Sequence, residues 1–96
     1  MLVEPFSLPT GQVKPDYDAF MLVFRQKQAI IREIAADFGA VFVPIQAELE
    51  ETAEKYASSV NTADSYAYWL WDGVHPTESI HWLIAQRWLS CAAPLL

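Results

Sequence analysis

Two short apolar runs, MLVEPF at 1–6 and AVFVPI at 40–45, flank one long helical pattern, and that order restricts the fold more than any other feature of the chain. Between them a helix is predicted from Asp16. Phe20, Val23, Phe24, Ile30, Ile31, Ile34 and Phe38 recur at three- and four-residue steps and give it one apolar face. Gly39 is a natural stop for that helix. The second run, 40–45, is nearly continuous rather than alternating, as expected of a strand covered on both faces. Strand, helix and strand in this order predict a parallel pair joined by a right-handed crossover. Two strands make a poor sheet on their own, so something further is expected beside them.

The remaining pattern is simpler. Pro5, Pro9, Gly11 and Pro15 mark a loop after the first strand. A second helix is predicted over 46–58, with Leu49, Ala53, Tyr56 and Ala57 on one side and Glu48, Glu50, Glu51 and Glu54 on the other, a solvated acidic face. Residues 59–71 read as a loop ending in aromatics. A third helix starts near Thr77 and runs to about Cys91, with Ile80, Leu83, Ile84, Arg87 and Trp88 along one side. The whole of 1–96 is one α/β domain of order β-α-β-α-loop-α, without internal repeats.

Composition sharpens the question of what lies beside the strands. A chain of 96 residues buries only about 60–65% of its unfolded surface. Yet 53% of these residues are hydrophobic and 14% aromatic. Either the core is dense or apolar surface is kept for a partner. The net charge is −6 and the six basic residues, Lys14, Arg25, Lys27, Arg32, Lys55 and Arg87, form no stripe, which argues against nucleic acid and anionic membrane surfaces. Cys91 is the one cysteine, so no internal disulfide forms. No apolar run approaches the ~20 residues of a membrane span. The N-terminus lacks the basic start and apolar stretch of a signal peptide, and the expected compartment is the cytoplasm.

The chemistry concentrates in Asp72-Gly73-Val74-His75-Pro76-Thr77. Pro76 forces His75 into extended backbone just before a helix, which fixes where the imidazole points. Gly73 permits a sharp turn that returns Asp72 toward His75. A carboxylate accepting from one ring nitrogen fixes the tautomer and leaves the other nitrogen free as a base. Taken alone, an Asp-x-x-His spacing is also what an ordinary capped turn looks like.

The longer run YWLWDGVHPTESIHWLIAQRWL, 68–89, resembles the last block of the GDSL/SGNH hydrolases, esterases and lipases of flavodoxin-like α/β/α fold. LVEPFSLP is similar to a late central strand of that family and the loop after it. REIAADFGAVFVPIQAELEE is similar to the helix, last strand and next helix that precede that block. The resemblance spans nearly the whole chain and is most specific over 72–77. It implies a partial, truncated flavodoxin-like layering, His75 as catalytic base and Asp72 as its acidic partner, with an ester or acylated sugar as substrate. The family often carries Gly where Ile80 stands. His81 matches a second histidine to which no catalytic role is assigned.

The family's other blocks are not in these 96 residues. No Gly-Asp-Ser run is present, and Asn61, the one asparagine, has no Gly-x-Asn-Asp context. Nucleophile, base and oxyanion donors act as a unit, so the chain alone is expected to be inactive on esters. Ser7, after the first strand, is the one candidate substitute nucleophile, and its simpler reading is a loop serine. Asp72, His75, His81 and Cys91 do not match metal-ligand spacing, and no metal or cofactor is expected. Tyr66, Tyr68, Trp69 and Trp71 either line a pocket beside His75 or fill the core, with filling favoured. The alternative to a hydrolase unit is a non-catalytic binding or assembly module. An uncovered edge of the first strand, with Phe20, Phe24, Trp82 and Trp88, is expected to recruit either the complementary N-terminal half of such an enzyme or a second copy as a homodimer.

Overall fold

The computed structural model describes residues 1–59, 65–70 and 73–95. Its long elements are β1 (Leu2–Val3), α1 (Tyr17–Asp37), β2 (Phe42–Val43), α2 (Gln46–Ser59) and α3 (Glu78–Ala92), with short 3-10 turns at Gly11–Val13, Ser65–Tyr68 and Ala93–Leu95. The parallel pair follows the sequence expectation, with Leu2 opposite Phe42 and Val3 opposite Val43. Both strands are two residues long, much shorter than the apolar runs that announced them. The ladder stops after Val43 because the next inward donor, the Ile45 N–H, bonds the Glu4 side-chain Oε1 rather than a backbone carbonyl of β1.

Successive side chains of β2 point to opposite faces of the sheet. On one face the guanidinium of Arg32, from α1, lies 4.7 Å from the centre of the Phe42 ring. On the other, Val43 joins a core of Leu8, Ile45, Leu49, Ala53, Leu70, Ile80 and Leu83, drawn from α2, α3 and the loops. The small sheet therefore has α1 on one side and the α2–α3 pair on the other.

The ends of the helices are fixed by specific bonds. Gly39 has φ +65°, its N–H bonds Ala36 O, and the Ala40 N–H bonds Ala35 O at 2.8 Å. This is the Schellman arrangement that a left-handed glycine permits. At the start of α2, Glu4 Oε1 accepts the N–H groups of Ile45 and Gln46 at 2.9 and 2.8 Å. A buried carboxylate from β1 thus satisfies donors that a helix leaves unpaired and meets the positive end of its dipole.

The outer edge of β2 is covered. Cys91 Sγ approaches Phe42 O at 3.9 Å and Arg87 Nε donates to Pro44 O at 3.3 Å, so α3 lies against the backbone groups that face away from β1. Arg87 Nε is also 2.9 Å from Glu48 Oε2, linking α3 to α2. Among the described residues no strand lies beside β1 on its far side. The apolar side of α1 differs from the expectation. Met21, Gln28 and Ala35 form its buried line, whereas Val23, Ile30, Ile34 and Phe38 of the expected face are exposed.

Candidate functional site

The carboxyl ends of β1 and β2 run directly into the segments 4–10 and 44–46, and a buried polar cluster forms where they meet. Gln46 is its centre. Its Oε1 accepts the Ser7 N–H at 2.8 Å and its Nε2 donates to Ser7 O at 2.8 Å. The amide side chain thereby acts as an additional peptide unit paired with residue 7. Gln28, reaching across from α1, donates to Pro5 O at 2.7 Å and to Gln46 Oε1 at 3.3 Å. Arg32 pairs loosely with Glu4 Oε2 at 3.6 Å, and Arg25 with Glu50 at 3.5 Å. An open groove of about 370 Å3 between α1 and the start of α2 is lined by Glu4, Arg25, Gln28, Arg32, Gln46 and Glu50, among others.

Ser7 itself is fully buried. Its hydroxyl donates to Gly73 O at 2.7 Å. The serine considered as a substitute nucleophile is instead the tether that holds the 73–77 loop against the first strand's carboxyl end. Gly73 has φ +94°, and a Cβ there would lie against Val13 Cγ2 and 2.5 Å from Thr10 O. Only glycine meets both conditions, the left-handed backbone and the close approach to residues 8–13.

The far side of the loop is closed by a local clasp. Leu70 and Pro76 form an isolated antiparallel bridge. The Thr77 N–H bonds Trp69 O at 2.9 Å and its Oγ1 donates to Trp69 O at 3.1 Å. Thr77 has extended backbone, φ −85° and ψ 177°, and α3 begins at the next residue. Pro76 and Thr77 thus deliver the chain into α3, as the sequence expected, and leave His75 exposed on the surface just before it. The Asp72–His75 pairing expected from their spacing falls on Asp72, which lies outside the described residues, as does Trp71.

The aromatics around this clasp are mainly packing groups. Tyr56 stacks on Tyr68 at 4.4 Å between centroids, and Trp69 meets both rings edge-on at 5.9 and 5.0 Å. Trp69 is buried, and its Nε1 has no hydrogen-bond partner among the described residues. His81 lies apart on α3, in a shallow apolar depression with Ile84, Ala85, Trp88 and Leu89. Among the described residues no group of three His, Cys, Asp or Glu converges as a metal site. Likewise none of their helices is long and apolar enough to cross a membrane.

One titration is perturbed by the cluster. Tyr17, at the start of α1, donates from its hydroxyl to Ser7 O at 3.1 Å. Burial, with the nearby Glu50 carboxylate adding to it, raises its pKa above the ordinary value of 10.0. The sequence had marked Ser7 as a candidate nucleophile or a loop serine, not as a tether, and had not marked Glu4, Gln28 or Gln46. Proline spacing shows where the loop lies, but not that two glutamines on different helices will meet it.

No family model, curated protein or solved structure matches this chain.

Proposed function

We propose that the chain is the C-terminal unit of an ester hydrolase of the GDSL/SGNH kind, with a partial flavodoxin-like α/β/α layering and a cytoplasmic site of action. In this reading His75 is the general base and Asp72 its orienting carboxylate. The observation that carries it is the Ser7–Gly73 tether, which brings the His75 loop to the carboxyl ends of two parallel strands. Open α/β sheets hold their reactive groups at those ends. An exposed imidazole beside that position is accessible to a substrate and to a second polypeptide.

The chemistry follows from the role of a base. His75 takes the proton of a serine hydroxyl as its oxygen attacks the ester carbonyl carbon. The tetrahedral intermediate collapses, and the same proton leaves with the alcohol. Water, deprotonated by His75, then cleaves the acyl-serine and releases the acid. Serine and oxyanion donors have to come from a further polypeptide segment, because the 96 residues hold no such block. Purified alone, the chain is expected to hydrolyse short p-nitrophenyl esters no faster than buffer. Turnover that disappears in His75→Ala would overturn that expectation.

The pairing of Asp72 with His75 has a test that needs no activity. Nitrogen-15 spectra should show neutral His75 protonated at Nδ1, and Asp72→Asn should redistribute the proton toward Nε2. A His75 already protonated at Nε2 in the unaltered chain would remove the basis for the hydrolase reading. The second reading, a non-catalytic assembly module, is favoured by the apolar surface left open on α1 and α3, where Phe38 is 83% and Trp82 69% exposed.

A further inference from the structure

The two edges of the sheet are unequal. Cys91 and Arg87 cover the outer edge of β2. On β1 the N–H groups of Leu2 and Glu4 bond Val41 O and Val43 O, so the N–H and C=O of Val3 point the other way, where no strand lies among the described residues. That free edge is very short. The next outward residue, Pro5, has no N–H, and its carbonyl already accepts from Gln28.

The helix above extends the same side. On α1, Arg25 and Arg32 lie toward α2 and β2, since they pair with Glu50 and stack on Phe42. Gln28 reaches down to β1 at Pro5. Continuing around the helix at 100° per residue, past Phe24 and Ile31, brings Phe20 and Ile34, with Phe38 just past the helix end, to the flank beside the free edge, while Val23 and Ile30 lie farther round and face away from the sheet. Phe38 is 83% exposed and Ile34 39%. An apolar helix flank therefore overhangs an unpaired strand.

We propose that this composite surface is completed by a second copy of the chain, with β1 paired antiparallel to β1 of the partner subunit about a two-fold axis through Val3. In that register Val3 and Val3 of the partner subunit exchange both N–H···O bonds. One free donor and one free acceptor on each chain are matched, and nothing is asked of Pro5. A longer foreign strand would run onto Pro5 and lose its ladder there. The sheet becomes β2-β1-β1-β2, with both outer edges covered by α3.

The helices fit the same axis. Strands are about 4.8 Å apart, and α1 spans β1 and β2, so each copy of α1 lies about 5 Å from the two-fold. The separation of about 10 Å is that of packed helices. Gln28 is level with Pro5 and Arg32 with Glu4, so Ile34 falls near the axis. Ile31 then lies nearest Phe38 of the partner subunit. The area agrees as well. The chain exposes 6205 Å2, against about 5,600 Å2 for a closed monomer of 10.9 kDa. That surplus approaches the roughly 800 Å2 per partner of a stable interface. The arrangement is independent of any role of His75.

Sedimentation of the full chain across 1–100 μM should give a dimer, a range set to span about two decades around common homodimer affinities. Val3→Pro removes the outward N–H and leaves the Leu2 and Glu4 bonds intact. Ile34→Lys charges the helix flank at an exposed position near the axis. Each should lower the association constant at least tenfold while the helical circular dichroism and the cooperative melt persist. A monomeric unaltered chain at the highest concentration would overturn the proposal. So would a dimer unaffected by both variants, which would place the contact elsewhere, for example on the Trp82–Trp88 side of α3. If His75 proves to be an Nε2-protonated surface histidine while the dimer and its variants behave as described, the hydrolase reading falls and this one stands.

Discussion

Ser7, Gly73 and Tyr17 illustrate how single residues decide where the His75 loop rests. Ser7→Ala leaves the Gly73 carbonyl without its buried donor, and a loss of about 1–3 kcal/mol is expected in urea unfolding. Gly73→Ala combines a positive φ of +94° with a collision against Val13 and the Thr10 carbonyl. It should cost more than about 2 kcal/mol and displace the loop. A melt unchanged by this substitution would show that Gly73 is not seated on residues 8–13. Tyr17 adds a pH dependence. Its folded pKa is raised above 10.0, so the unfolded chain ionises first. Its contribution to stability is complete below pH 10 and is lost as pH rises toward and through the folded value. A late component in the ultraviolet titration of tyrosine should vanish in Tyr17→Phe.

At the scale of elements, helix ends were far more legible in the sequence than helix faces. Gly39 and the Pro76-Thr77 pair mark α1's end and α3's start because both act through local backbone chemistry. Gly39→Ala meets no atom within 4 Å but keeps a φ of +65°, so a loss of about 1 kcal/mol is expected, from strain alone. The buried face of α1 was not legible. Gln28 is polar and lies inside, while Ile30 and Ile34 are apolar and lie outside. Periodicity records which residues avoid water, not what covers them. The strands were overestimated for a related reason: apolar runs resemble long strands, but after Val43 the Ile45 N–H turns to the Glu4 side chain and the ladder stops. The candidate base was visible in the spacing of Asp72 and His75. The side chains that seat its loop were not, because Ser7 and Gln46 meet across 39 residues.

The molecule as a whole carries more surface than its mass requires, and its radius of gyration of 14.2 Å exceeds the ~12.5 Å of a closed domain of this length. If a second copy takes up that surface, the melting temperature should rise with protein concentration. Scanning calorimetry at two concentrations tenfold apart is the direct check, and equal midpoints would speak for a closed monomer. Ser7 joins the end of β1 to α1 through Tyr17, to α2 through Gln46 and to the approach to α3 through Gly73. Such a residue, though it belongs to no helix or strand, has no small motion that would free its amide, since opening it disturbs several segments together. In deuterated water its backbone proton should be among the last to exchange, at a rate set by unfolding of the entire chain, while amides at the exposed start of α1 exchange early.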